Sequence, residues 1–172
     1  ENGLSEKISD LNKESEINFL DIRIRDEIFD LVSLDCEKAI EENIKFGDKI
    51  YEEASLLIKY EESNKINNEL KLRHKKYDTL RTLFWVNSIK LKKKCPGSFH
   101  TVVYVYDYDE PSLEQKAKQK VYSNLLYELK QKKANEIILI PIAGDMNISS
   151  LDLLMSQYGV SELPSQLVVE AT

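Results

Sequence analysis

Tyr158-Gly159-Val160-Ser161-Glu162-Leu163-Pro164-Ser165-Gln166-Leu167-Val168-Val169-Glu170 is the stretch on which the reading of this chain turns. Tyr158-Gly159 reads as the end of a helix, because glycine takes the left-handed conformation that closes one. Pro164 lacks a backbone donor, and Gln166 to Glu170 reads as a buried strand. A chain leaving a helix at Gly159 must reverse sharply to enter that strand. The reversal is expected at a cis Leu163–Pro164 bond, since the cis form costs little only before proline.

Upstream, the same units repeat in a strand–helix–strand order. Thr101-Val102-Val103-Tyr104-Val105-Tyr106 is rich in β-branched and aromatic residues and apolar on both faces, as a central strand requires. Asp107 to Ser112 is a loop. Residues 113–133 read as a helix with Leu113, Ala117, Val121, Leu125 and Leu129 along its inner face. Glu136 to Ile142 is a second buried strand in which Pro141 marks an end or a bulge. Ser149-Ser150-Leu151-Asp152 is a capping-box variant opening a short helix that ends at Tyr158-Gly159. Alternating strands and helices predict parallel pairing through right-handed crossovers.

Residues 1–95 read differently. Leu4, Ile8 and Leu11 share one helical face, and Ile17, Leu20, Ile24, Ile28 and Leu31 another, with a bend expected near Glu14-Ser15. Ser33-Leu34-Asp35 offers cap residues. Ile40, Ile44, Gly47, Tyr51, Ala54 and Ile58 line a stripe over 36–62. After a turn at Glu62-Ser63-Asn64-Lys65, Ile66, Leu70, Arg73, Tyr77, Leu80, Phe84, Asn87 and Leu91 recur in heptad-like steps. Two helices of similar length joined by a short turn pair antiparallel. The prediction is an α/β chain: an elongated helical hairpin with a third helix over 1–95, then a βαβαβ unit over 96–172.

The tail resembles thioredoxin-like proteins over roughly residues 99–170. In that family the residue before the corresponding strand is a cis-proline whose neighbour presents its backbone to a bound peptide or thiol. Pro164 holds that position and Leu163 precedes it. The resemblance implies a peptide- or protein-binding site at Leu163 and Pro164. Family enzymes carry Cys-x-x-Cys between the first strand and the long helix; here that loop is Asp107-Tyr108-Asp109-Glu110-Pro111-Ser112. The loop supplies no thiolate for redox chemistry. The family also continues with a further strand and helix, so the unit is either cut short or a minimal version.

Asp107 and Asp109 place carboxylates near a helix start, where the dipole favours them; they are also candidates for a cationic peptide or a weak metal site. Cys36 lies 28 residues before Asn64 and Cys95 lies 31 after it. In an antiparallel hairpin both land at one end, which favours a structural disulfide over two free thiols. A disulfide implies an oxidising compartment. Asn147-Ile148-Ser149 matches a glycosylation sequon. His74 and His100 have no ligand partner at metal spacing, and no resident metal or cofactor is expected. A net charge of −6 argues against nucleic acid as a partner.

No apolar run approaches the ~18 residues of a membrane span. The chain starts at Glu1, not Met, and reads as processed or partial. The layout resembles uncharacterised, membrane-anchored extracytoplasmic proteins of small-genome archaea. That resemblance implies a non-catalytic binding or scaffold module at the cell surface, with a protein or peptide partner. The competing readings are a divergent thiol-disulfide oxidoreductase or disulfide-linked chaperone using Cys36 and Cys95, and a cytoplasmic adaptor with free thiols.

Overall fold

Helices dominate the first half because Glu, Lys, Leu and Ile recur there without a proline until Pro96. The computed structural model describes residues 2–31, 35–63 and 67–169. It contains α1 (Asn2–Leu31), α2 (Cys36–Ser63) and α3 (Asn68–Lys94), then β1 (His100–Tyr106), α4 (Leu113–Lys133), β2 (Ile137–Ala143), α5 (Ser149–Gln157) and β3 (Ser165–Val169). A helical N-terminal region is therefore followed by a small mixed sheet with helices. Residues 32–34, 64–66 and 170–172, and with them parts of the expected cap, turn and last strand, lie outside the described residues, as do the side chains of Leu4, Ile8, Leu11 and Leu31.

By compactness the chain divides into Glu1–Leu80 and Arg81–Thr172, so the second half of α3 groups with the sheet. In the first unit α1 is one continuous helix, not two segments meeting near Glu14. Lys49 Nζ donates to Asn18 Oδ1 at 3.2 Å and Arg25 Nη1 to the Glu42 carbonyl at 3.3 Å, so α1 and α2 run antiparallel. Asp35 Oδ1 accepts from the Lys38 backbone N–H at 3.3 Å and Asn67 Oδ1 from that of Leu70 at 2.9 Å, capping α2 and α3.

Two helical faces differ from the expected ones. On α1 the face of Ile17, Leu20, Ile24 and Ile28 is exposed, and Ile22 on the opposite side is buried. On α2 the buried stripe is Ala39, Asn43, Phe46, Ile50, Glu53, Ala54 and Leu57, while Tyr51 and Ile58 are exposed. The true α2 face carries Asn43 and Glu53, polar residues that mask its period. On α3 the seam holds: Leu70, Tyr77, Leu80, Phe84 and Leu91 are buried.

In the second unit β1 is central, in the order β2-β1-β3, and its middle residues are buried on both faces. β1 and β2 pair parallel, with Val103 opposite Ile140. The expectation of parallel pairing throughout fails at β3, which runs antiparallel to β1, Val105 opposite Ser165 and Thr101 opposite Val169. Helix length explains the difference. The 21 residues of α4 rise about 31 Å, enough to return the chain along a strand of about 23 Å. The nine residues of α5 rise only about 13 Å, so the chain enters β3 from the end at which it left β2. Pro141 lies inside β2, tolerated because β2 is an edge strand.

α4 packs Tyr122, Leu126 and Leu129 against Val102, Tyr104 and Ile137. The expected inner residues Leu113, Val121 and Leu125 are exposed instead. Val103 and Val105 alternate to the other face of the sheet and are wholly buried. Trp85 is also wholly buried and stacks on Tyr158, ring centroids 5.5 Å apart. Ile148, not Ser149, occupies the cap position of α5 and makes no side-chain cap bond, so the expected capping box is absent. Gly159 closes α5 at φ 69°, with the Val160 N–H bonded to the Met155 carbonyl at 2.9 Å.

Cys36 and Cys95, the two cysteines of the chain, form a disulfide.

Candidate binding site

The Leu163–Pro164 bond is cis, as the sequence leads one to expect. What surrounds it is set by side-chain amides. Ser112 caps α4 by accepting from the Gln115 N–H at 3.1 Å, and Gln115 Oε1 accepts from the Ser112 N–H at 2.8 Å, a reciprocal box. The remaining face of the same amide reaches across: Gln115 Nε2 donates to the Leu163 carbonyl at 3.3 Å. One turn on, Gln119 clamps the loop. Its Oε1 accepts from the Asp107 N–H at 2.8 Å and its Nε2 donates to the Asp107 carbonyl at 3.0 Å.

Asp145, two residues beyond β2, holds the rest of the loop. Its two carboxylate oxygens accept from the Tyr108 N–H at 3.0 Å and the Asp109 N–H at 2.8 Å. Gly144 makes this close approach feasible. A Cβ there would sit 2.7 Å from Val105 Cγ1 and 3.1 Å from both Leu163 methyls. The need at Gly144 is space, not a left-handed backbone.

Burial first, then the neighbouring Asp145 carboxyl, hold the Asp107 carboxyl above the usual carboxylate range, while Gln115 opposes the rise. Asp109 is exposed at the rim. Three carboxylates, two amides and the Leu163–Pro164 segment thus converge at the carboxyl ends of β1 and β2. In open α/β sheets ligands bind at that end of the strands.

No family model matches this chain, and neither a characterised protein nor a solved structure matches it.

Of the residues expected to form a site, Asp107, Leu163 and Pro164 are brought together, with Asp109 on the same loop. Asn147 is separate: it is exposed at φ 54°, just before α5. Gln115, Gln119, Gly144 and Asp145 were missed by sequence reasoning. The Ser112-x-x-Gln115 box carried a readable signal; the other three did not. The Leu163 backbone is expected to face a bound peptide, but Gln115 already donates to its carbonyl. Among the described residues, no group of three His, Cys, Asp or Glu side chains is arranged to hold a metal ion. No described helix is long and apolar enough to cross a membrane.

A second polar cluster lies in the helical unit. His74 Nδ1 is 3.3 Å from Glu61 Oε1, and its Nε2 is 3.3 Å from Asp78 Oδ2, with all three side chains buried. The pair Glu61–His74 ties the last turn of α2 to the start of α3. His100 is exposed at the start of β1.

Proposed function

We propose that this chain is a non-catalytic binding or scaffold module of an extracytoplasmic, membrane-tethered protein, and that its second unit is a redox-inactive thioredoxin-like domain. The unit grips an extended protein segment along Leu163 and Pro164 and takes a basic side chain of that segment between Asp109 and the Asp107–Asp145 pair. The observation that carries the reading is the convergence of these carboxylates with Leu163, through Gln115, in a loop that holds no thiol. A cation placed there relieves the mutual repulsion of the Asp107 and Asp145 carboxylates. The extended backbone adds by β-strand pairing.

The disulfide supports an oxidising compartment. It also weighs against the oxidoreductase reading, because Cys95 is buried whereas a working thiolate must be reached by its substrate. The test is a titration of isotope-labelled protein with extended peptides that carry a lysine or arginine, against isosteric neutral peptides. The expected result is amide shift changes confined to residues 107–112 and 160–166, with binding to the basic peptides weakened roughly tenfold in Asp109→Asn. Binding that ignores peptide charge, or shifts centred elsewhere, overturns the reading. Disulfide reduction of insulin above the free-reductant rate, lost in Cys95→Ser, would establish the oxidoreductase instead.

A further inference from the structure

α1 and α4 each present an apolar face to solvent, and the two faces differ in the charge of their rims. On α1, Ile17, Leu20, Ile24 and Ile28 follow steps of three and four residues and are 66%, 61%, 58% and 45% exposed. That spacing puts them on one side of the helix, nearly opposite the buried Ile22. The helix carries eight acidic residues against four basic ones, and the exposed Glu14 and Glu27 flank the stripe.

On α4, Leu113, Val121 and Leu125 are 86%, 54% and 56% exposed, with Ala117 completing their four-residue spacing. This helix has the opposite balance, six lysines against two glutamates, in a chain whose net charge is −6. Lys116 and Lys120 are exposed along one edge of the stripe. The stripes also match in length: Ile17 to Ile28 spans about 16 Å and Leu113 to Leu125 about 18 Å.

We infer that the acid-rimmed apolar face of α1 docks on the lysine-rimmed apolar face of α4 in a second copy of this chain. The apolar stripes supply the driving force through burial, and the opposite rims select this pairing over α1 with α1 or α4 with α4, where like charges would face each other. Because each copy carries both faces, the contact is heterologous; it continues into longer chains unless two copies satisfy both faces reciprocally.

Sedimentation velocity over a range of protein concentrations tests this, at low and at high salt. The wild type is expected to shift from monomer toward larger species as concentration rises, and less so at high salt. Ile24→Asp and Leu125→Asp should each weaken association roughly tenfold or more; both side chains are exposed, so far-UV circular dichroism should be unchanged. Glu14→Lys/Glu27→Lys and Lys116→Glu/Lys120→Glu should each reduce self-association. An equimolar mixture of those two reversed proteins should restore it, since the basic α1 of one then meets the acidic α4 of the other. A monomer at every concentration overturns the inference. So does association that survives Leu125→Asp, or a mixture that fails to restore it. Binding of a strictly monomeric protein to phosphatidylserine vesicles, lost in Leu125→Asp, would assign the α4 face to a membrane surface instead.

Discussion

Replacing both cysteines, Cys36→Ala with Cys95→Ala, removes a cross-link that closes a loop of about 60 residues containing all of α2 and α3. In the chain-entropy account the cross-link costs the unfolded chain about 14 cal/mol/K, which is about 4 kcal/mol at 25 °C. Against a total stability of roughly 5–15 kcal/mol that is a large fraction. For a chain of this size it corresponds to a melting temperature lower by about 8–16 °C. Urea unfolding should be followed with two probes. Far-UV circular dichroism follows mostly the helices. The fluorescence of Trp85, the one tryptophan of the chain, follows the unit in which it stacks on Tyr158. The variant should lose stability on both signals and more on the first, since the opened loop is helical. Its urea dependence should also steepen, because the uncross-linked chain exposes more surface on unfolding, so extrapolated stabilities and not midpoints are the quantity to compare. A variant within about 1 kcal/mol of the oxidised wild type would refute the entropic reasoning, and two titratable thiols in the native protein would refute the bridge itself.

Three further outcomes follow from the geometry. His74→Leu leaves the buried Glu61 and Asp78 carboxylates facing an apolar side chain and should destabilise by about 3 kcal/mol in calorimetry, with partial recovery in His74→Leu/Glu61→Leu; an unchanged melting temperature would show that the imidazole holds neither carboxylate. Gly144→Ala forces a Cβ to 2.7 Å from Val105 Cγ1 and should cost about 1–3 kcal/mol, eased by Val105→Ala; a neutral Gly144→Ala would mean the end of β2 moves freely. The Asp107 carboxyl is raised in the folded protein, so its contribution is greatest at acidic pH and is lost as pH rises through its folded value; Asp107→Asn should flatten that dependence and match or exceed wild-type stability at neutral pH, and identical urea profiles of the two proteins across pH would show that the carboxyl is not raised.

The elements of the fold were largely legible because their boundaries rest on local chemistry. Asp35 caps a helix, Gly159 ends one, and the β-branched run of β1 is buried on both faces. Which face each helix buries was less legible, for one physical reason. Reading by apolar period assumes that the inner face is the most apolar one. On α2 that face includes Asn43 and Glu53, and on α4 it begins with Gln115 and Gln119 before Tyr122, Leu126 and Leu129. A continuous run of four-residue steps from Leu113 to Leu129 outscored the true face. The strand direction of β3 was likewise hidden, because it follows from the length of α5 and not from any residue in the strand.

The amides that misled the helix reading are the same groups that build the candidate site. A glutamine on the inner face of α4 has one donor end and one acceptor end, and a loop or a cis-proline turn presents backbone groups of both kinds. Gln119 satisfies the N–H and the carbonyl of Asp107 together, and Gln115 joins the Ser112 N–H to the Leu163 carbonyl. An apolar residue at either position would leave those backbone groups without these partners, at a cost of about 1–3 kcal/mol for each one that is buried. The polarity of this face is therefore explained by the loop it holds. Gln119 and Asp145 fix the loop backbone that carries the Asp107 and Asp109 carboxylates. The exposed Asp109 stands at the rim of that loop, while burial and the neighbouring Asp145 hold the Asp107 carboxyl above the usual carboxylate range.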